Sequence, residues 1–270
     1  MHIGTMMRFT PDLGEGGHLM DRVADYARRI EAAGFPSIWV GDSLGRGRPT
    51  LDPLMELATL AAVTHKVELG IGVLQLPLRH PIELAHRVQS LQALSNNRLV
   101  LGVGSGSTKD DFDLLGYDYD KRFGTLRASL RTMQSVWRGE TALTIWPGCT
   151  AGPPIMIGAW RSHRWITLAA KEYQGWTPSG RYSSWADLEA GMKVFREAGG
   201  TNAVLANTTV DLGDRPGSAE LAKLAEPALI GTPDEVRQKL KRMRDIGFDA
   251  VMLVSHHNVL EDIERVRDML

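Results

Sequence analysis

The whole chain alternates short apolar runs with longer amphipathic segments, and this alternation constrains the fold more than any other feature. Short runs rich in Val, Ile and Leu are typical of strands covered on both faces, whereas apolar residues three or four positions apart are typical of helices. The predicted strands are 3–9, 37–40, 67–74, 98–103, 154–157, 174–176, 203–210 and 250–254. The helices predicted to follow them are 19–33, 51–63, 81–94, 122–137, 162–171, 185–198, 232–246 and 260–269.

Eight strands that are each followed by a helix, in a chain of 270 residues, fit the count and the size of a (β/α)8 barrel. The sequence therefore predicts an α/β fold with one TIM-barrel domain over residues 1–270, with insertions after strands four and seven, at 104–121 and 211–231. A doubly wound sheet is the alternative, because alternation is common to both folds. Against that alternative, the first strand is followed by Gly14-Glu15-Gly16-Gly17, which lacks the spacing of a dinucleotide-binding loop.

Composition excludes several classes of partner and site. The 31 Lys and Arg residues against 32 Asp and Glu residues provide no excess of positive charge for nucleic acid or an anionic membrane. The single cysteine, Cys149, excludes an intrachain disulfide and favours a reducing compartment. No apolar run approaches the roughly 20 residues that cross a bilayer, and the first residues do not resemble a signal peptide. We therefore expect a cytoplasmic protein that acts on a small molecule.

Glycines gather at the carboxyl ends of successive predicted strands, where barrel enzymes build their active sites. Glycine permits close approach of the backbone to a ligand, so this pattern suits a flat, phosphorylated ligand, while tight turns between strand and helix are the alternative. Gly72 lies inside a strand, where glycine weakens the strand unless a bulge or a ligand requires it. Gly158, Ala159, Trp160, Arg161 and Ser162 lead into a helix, whose free N–H groups and positive dipole end favour phosphate.

Several segments match the motifs of one family in their order along the chain. They are Trp39-Val40-Gly41-Asp42-Ser43, Leu69-Gly70-Ile71-Gly72-Val73, Pro77-Leu78-Arg79-His80-Pro81, residues 94–104, Phe112, Gly116, Arg122 and residues 231–236. Together they resemble the bacterial luciferase-like monooxygenase superfamily, whose members are (β/α)8 enzymes that depend on flavin or on F420.

The resemblance implies a set of cofactor contacts. Members of the family often have a non-prolyl cis peptide in strand three, against the ring of the cofactor, and Gly72 and Val73 are the matching pair. Gly104, Ser105, Gly106 and Ser107 match the segment that lines the side chain of the cofactor. Gly158, Ala159, Trp160, Arg161 and Ser162 match the phosphate-binding turn.

Catalytic candidates follow from the same resemblance and from position in the predicted barrel. Asp42 and Ser43 match the place where many F420-dependent relatives have Asp-His near the ring, and here serine replaces histidine. Asp12, after strand one, is a tentative third candidate, with the capping of a turn as its alternative. His163 and the pair His256-His257 could also exchange a proton.

Two further features of the sequence have competing interpretations. Trp160 could stack on a ring or fill a crevice between the barrel and a helix. Asp110, Asp111 and Asp113 fall in an amphipathic stretch and are interpreted as a solvated face, so no metal site is predicted.

The leading hypothesis is a two-electron oxidoreductase or monooxygenase that binds F420, or else FMN, and acts on a small organic substrate by hydride transfer or oxygen activation. A cofactor-binding barrel without turnover is one alternative, and a metal-dependent barrel hydrolase or aldolase is another. Members of the family are often dimers, so a homodimer formed through helices one to three is an open alternative to a monomer.

Overall fold

The computed structural model describes residues 1–7, 18–44, 49–149, 151–212, 221, 224–255 and 260–269. These residues fall into two compact units. The first unit takes its residues from Met1–Arg8, Arg29–Trp39 and Met156–Leu270, and the second from Phe9–Arg28 and Val40–Ile155. All contacts given below lie within one unit or the other.

Strands and helices alternate along the described residues. The strands are β1 (His2–Met7), β2 (Ser37–Val40), β3 (Glu68–Gln75), β4 (Leu99–Gly104), β5 (Ile155–Ile157), β6 (Gly175–Trp176), β7 (Val204–Asp211), β8 (Leu229–Ile230) and β9 (Ala250–Ser255). The helices are α1 (Leu19–Ala32), α2 (Pro53–Val63), α3 (Pro81–Leu94), α4 (Lys109–Leu115), α5 (Arg122–Trp137), α6 (His163–Glu172), α7 (Trp185–Glu197), α8 (Pro233–Ile246) and α9 (Leu260–Arg267). Every strand and helix that the sequence predicts is present, with its ends within two residues of the prediction.

Besides a 3-10 turn at Leu76–Leu78, one helix and one strand were not predicted, and both of these fall in stretches interpreted as insertions. The helix α4 lies in the stretch after β4, and the strand β8 lies in the stretch after β7, so the described residues contain nine strands rather than eight. Both elements are short, at seven and two residues. Neither is long enough to show a hydrophobic period that would separate it from a loop.

Parallel pairing with intervening helices makes the first unit an α/β structure. β1 pairs with β9 from His2↔Ala250 to Thr5↔Leu253, and β9 pairs in turn with β7. The short strand β8 extends this sheet beside β7, and β5 pairs with β6. The register between β7 and β9 shifts after Leu205, where Asn207 has a φ of 57°. Such an extra residue is a β-bulge, and Asn tolerates the left-handed conformation better than most residues.

The second unit is built on the parallel pair β3 and β4, whose register shifts between Ile71 and Leu74. Glycines on β4 make this pairing possible. A Cβ atom at Gly102 would collide with the carbonyl oxygen of Ile71, and one at Gly104 would lie 2.7 Å from Cγ2 of Val73. A side chain at either position would therefore push β3 away from β4.

Side chains also fix the helices of the second unit around these strands. Arg98, just before β4, donates to the backbone carbonyls of Ala61, Thr64 and Val67, and so joins the end of α2 to the start of β3. The fully buried Trp137 at the end of α5 donates from Nε1 to the carbonyl of Ala85 on α3, at 3.2 Å. Among the helices in the described ranges, none has the length and apolar character needed to cross a bilayer.

Glu56 on α2 is buried, and its Oε1 atom has no hydrogen-bond partner in the structure. Burial raises the pKa of Glu56 from 4.5 to about 8. The folded protein therefore keeps the carboxyl proton of Glu56 between pH 4.5 and about 8, where the unfolded chain has lost it, and stability falls as pH rises through this window.

This pH dependence can be tested by substitution. In the wild-type protein we expect the unfolding free energy, measured by urea denaturation, to fall by a few kcal/mol between pH 5 and pH 9, and we expect Glu56→Gln to abolish this fall. The exposed Glu172→Gln is the control, and an unchanged pH dependence in Glu56→Gln would contradict the assignment.

The contact between β3 and β4 also gives a direct test. Gly104→Ala places a methyl group against Val73, so we expect a loss of about 1–3 kcal/mol in unfolding free energy. Gly124→Ala, in the first turn of α5, is the matched control because no atom lies within 4 Å of its added Cβ. That control is expected to be neutral or to stabilise the protein by up to about 1 kcal/mol. Equal stability of the two variants would show that the pairing of β3 with β4 does not require glycine at position 104.

Candidate active site

Asp42 follows β2 and is held by a dense set of hydrogen bonds within the second unit. Its Oδ1 accepts from Nη2 of Arg79 at 2.8 Å, and its Oδ2 accepts from Nη1 of Arg79 at 2.7 Å. Oδ2 also accepts the backbone N–H of Gln75, at 2.8 Å. The Asp42 side chain is 2% exposed and that of Arg79 is 17% exposed. The predicted catalytic carboxylate is therefore half of a buried, bidentate ion pair, an arrangement among the stronger types of charged hydrogen bond.

The peptide bond between Gly72 and Val73 is cis, as the family resemblance implied. These two residues are also the partly exposed positions of β3, whereas Leu69 to Ile71 before them and Leu74 and Gln75 after them are buried. The two residues that were predicted to contact a cofactor ring are therefore partly exposed, between residues of β3 that are buried.

The segment that follows β4 becomes progressively more exposed. Gly104 is buried, Ser105 and Gly106 are half-buried, and Ser107 is exposed. Ser105 donates from its hydroxyl to the carbonyl of Gly106 at 3.3 Å, and the carbonyl of Ser107 accepts from the Tyr119 hydroxyl at the same distance. This segment thus offers backbone and hydroxyl groups at the carboxyl end of a strand.

The glycines of this segment are explained by packing within the protein. Gly106 has a φ of 76°, a conformation that favours glycine. A Cβ atom there would lie 2.9 Å from Oε1 of Gln75 and 2.9 Å from the ring of Phe112. Val73 occupies the corresponding space beside Gly104. Close approach of a ligand is therefore not needed to account for glycine at either position.

Arg122, at the start of α5, lies near the same segment. Its guanidinium carbon is 3.8 Å from the centroid of the Tyr119 ring, and Nη1 donates to the carbonyl of Tyr119 at 2.9 Å. The Nε atom is buried without a hydrogen-bond partner in the structure. The sequence identified Arg122 only as part of a family motif, and its packing on Tyr119 is decided by the tertiary structure.

In the first unit, the turn after β5 leads directly into α6. The carbonyl of Ala159 accepts from Nε1 of the buried Trp176 at 2.8 Å, which fixes the turn. Ser162 is the N-cap of α6, and its side chain makes no hydrogen bond to the first helical turn. The N-cap side chains of α2, α3, α7 and α8 accept such bonds, whereas those of α4 and α5, like that of α6, do not. The first N–H groups of α6 therefore lack a side-chain cap, and free N–H groups at a helix start can bind an anion.

Two side chains of this turn have partners that the sequence did not indicate. Arg161 makes two hydrogen bonds to Asp187 on α7, at 2.9 and 3.1 Å, so two of its guanidinium nitrogens already have an acceptor within the protein. The bond from Arg161 holds the pKa of Asp187 below its ordinary value. Trp160 packs against Tyr182, with ring centroids 5.0 Å apart and the rings tilted by 30°, and it is 37% exposed.

Of the remaining candidate residues, the structure describes Ser43 and His163. Ser43 is exposed, and its carbonyl accepts from the Thr50 hydroxyl at 3.0 Å. His163 is the exposed first residue of α6. Asp12, His256 and His257 lie outside the described residues.

The acidic residues after β4 do not form the uniform solvated face that was predicted. Asp113 is exposed and pairs with Lys109, but Asp111 is buried on the same short helix, α4. Within the described ranges, no group of three or more His, Cys, Asp or Glu side chains could hold a metal ion.

Two curated or solved relatives illustrate the likeness to known monooxygenases. The 4-hydroxyprotoasukamycin monooxygenase of Streptomyces nodosus subsp. asukaensis is 37% identical over 134 residues, which are 49% of this chain and 36% of that protein. The chain thus matches only about a third of that relative's length. The FMN complex of the oxygenating constituent of 3,6-diketocamphane monooxygenase, a type II Baeyer-Villiger monooxygenase from Pseudomonas putida, has a TM-score of 0.74 at 17% identity, over 99% of this chain and 96% of that one.

A third comparison extends the likeness to F420 enzymes. An F420-dependent secondary alcohol dehydrogenase, solved with an F420-acetone adduct, has a TM-score of 0.78 at 13% identity. The match covers 100% of this chain and 98% of the dehydrogenase. At these identities, the two structural matches establish a shared fold.

The sequence model of the family described as luciferase-like monooxygenase matches residues 1–203, which is most of the chain. This match confirms the family that the motifs indicated. Because the match covers more than half of the chain, the chain belongs to the luciferase-like monooxygenase family.

Proposed function

We propose that this protein is an oxidoreductase that binds a flavin or deazaflavin cofactor and acts on a small organic substrate. The observation that carries the proposal is the partial exposure of Gly72 and Val73, between buried residues of β3, in a chain of this family. The Pseudomonas structure contains FMN and the alcohol dehydrogenase contains F420, so both cofactors occur among proteins of this fold.

In the second unit, the ring of the cofactor would lie against Gly72 and Val73, and the side chain of the cofactor along residues 104–107. The partly exposed backbone of Ser105 and Gly106 and the exposed Ser107 fit a polar, hydroxylated chain. Arg122, which is half-buried and packs on the Tyr119 ring, adds a cation that suits an anionic or polar group of the ligand.

In the first unit, residues 158–162 would bind a phosphate. The uncapped first turn of α6 supports this assignment, since its N–H groups and the helix dipole favour an anion. Ser162 can add its hydroxyl, and Gly158 and Ala159 can contribute backbone. Arg161 is a weaker candidate than the sequence indicated, because Asp187 holds its guanidinium.

When bound, such a cofactor supplies hydride exchange or, in its reduced form, the activation of oxygen. The chain contributes binding and orientation. Ser43 is the accessible polar group next to the buried Asp42 and is the residue we propose for proton exchange with substrate, and the proposed role of Asp12 stays a prediction. F420 is our first choice, because Asp42 matches F420-dependent relatives, and FMN is the second.

Several finer expectations stay predictions of the sequence. They are the closed (β/α)8 barrel with insertions after strands four and seven, its organisation as one domain, the homodimer, the absence of nucleic acid partners and the cytoplasmic location. A metal-dependent barrel hydrolase or aldolase stays the less favoured alternative. A cofactor-binding protein without turnover remains the alternative that experiment must distinguish.

Titration of the purified protein with FMN, riboflavin and F420, followed by fluorescence quenching, tests the proposal. We expect saturable binding of F420 or FMN. If phosphate is bound as proposed, FMN should bind at least about tenfold more tightly than riboflavin, which corresponds to about 1.4 kcal/mol. Failure to bind either phosphorylated cofactor would overturn the proposed function. Binding without oxidation or reduction of any substrate in a broad screen would favour the protein without turnover.

The phosphate-binding turn has its own test. Gly158→Val introduces a branched side chain where close approach of a phosphate is proposed, so we expect the affinity for FMN or F420 to fall at least about tenfold while the melting temperature changes little. Ala190→Val, on the exposed side of α7, is the control for a new β-branched residue. Unchanged affinity in Gly158→Val would assign this glycine to turn formation alone.

A further inference from the structure

The buried pair Asp42–Arg79 joins two segments of the second unit, the residues after β2 and the stretch from the end of β3 to Arg79. Asp42 follows β2, Gln75 is the last residue of β3, and Arg79 follows the short 3-10 turn Leu76–Leu78. Arg79 donates to both carboxylate oxygens of Asp42 and, from Nη1, to the carbonyl of Gln75 at 3.2 Å. Gln75 donates its backbone N–H to Asp42 Oδ2 and its Nε2 to the carbonyl of Asp42. The end of β3 is thus bonded through both its backbone and its side chain.

What this pair holds in place is the part of β3 that carries the proposed cofactor contacts. Gln75 lies two residues beyond Val73 and is in register with Gly104 on β4. The Oε1 atom of Gln75 lies against Gly106, where a Cβ atom would be only 2.9 Å away. A shift of Gln75 would therefore move both the Gly72–Val73 backbone and the surface of the segment after β4.

The geometry also bears on the role of Asp42. Both carboxylate oxygens already accept N–H donors, and the side chain is 2% exposed. The carboxylate therefore accepts three N–H donors from the protein itself, and its low exposure leaves little of it open to a bound substrate. The other carboxylate near Arg79 is Asp52, whose Oδ2 is 3.9 Å from Nη2. Asp52 is already the N-cap of α2, where its Oδ1 accepts from the backbone N–H groups of Leu54 and Met55.

We infer that Arg79 and Asp42 are positioning residues, which fix the end of β3 so that Gly72 and Val73 face the cofactor, and that Asp42 does not transfer a proton. This inference rests on the proposed function, since the cofactor site itself is a proposal. The planar guanidinium is required because only arginine presents two parallel N–H donors to one carboxylate. Lysine at position 79 would keep the positive charge but would not present two parallel N–H donors to the carboxylate.

The test combines cofactor affinity with hydrogen exchange at the Gln75 amide, measured by NMR. Asp42→Asn and Arg79→Met should each weaken binding of F420 or FMN at least about tenfold, and should speed exchange of the Gln75 amide by a similar factor. Arg79→Lys should fall between wild type and Arg79→Met. The double variant Asp42→Asn/Arg79→Met should bind no more weakly than the weaker single variant, because both changes break one interaction.

A matched control removes the same kind of ion pair from an exposed place. Arg138 also makes two hydrogen bonds to one carboxylate, that of Glu140, but both side chains are about half exposed. Arg138→Met should leave cofactor affinity and Gln75 exchange at wild-type values, since exposed pairs contribute little.

The outcomes separate the inference from the proposed function. Loss of turnover in Asp42→Asn with unchanged cofactor affinity and unchanged Gln75 exchange would overturn the inference and make Asp42 a proton carrier. Additive losses in the double variant would also overturn it. If the wild-type protein binds neither cofactor, the proposed function fails, and the exchange rates then decide alone whether the pair fixes the end of β3. If Arg79→Met does not fold, Arg79→Lys provides the same comparison.

Discussion

The close approach of β3 to β4 is the constraint on which the candidate site in the second unit depends. Two strands can lie this near each other across a register shift only where one of them lacks side chains, and Gly102 and Gly104 meet that requirement. Val73 fills the space that a side chain at Gly104 would take. The strand β3 is thereby fixed from one side by packing, and at its end by hydrogen bonds to a buried carboxylate.

The residues proposed to bind a cofactor have a different local structure in each unit. In the second unit, Gly72 and Val73 are partly exposed but belong to a strand whose other residues from Leu69 onward are buried. In the first unit, the turn after β5 ends at a helix whose first N–H groups lack a side-chain cap. Rigid backbone that remains accessible is what a cofactor enzyme needs, because the protein contributes orientation while the cofactor contributes the chemistry.

The order of elements was predictable from the sequence because it depends on local patterns. Apolar runs such as 99–104 and capped helices such as α8 carry their own signals, and the capping box of Thr232 and Glu235 forms as predicted. The cis peptide at Gly72 was predicted from a family motif. The elements that the sequence missed, α4 and β8, are too short to show a period, and β8 is a strand because it pairs with β7.

The sequence by itself determined the α/β alternation, the family and the segments that follow each strand. The tertiary structure decided which side chains of those segments are available. It placed Asp42 against Arg79, Arg161 against Asp187, and Val73 and Gln75 in the spaces beside the glycines after β4. These partners are 26 to 37 residues apart in the chain, so no local period can relate them. Burial also decides the role of Asp42, because a carboxylate removed from water needs a cation beside it, and the resulting ion pair then holds the structure.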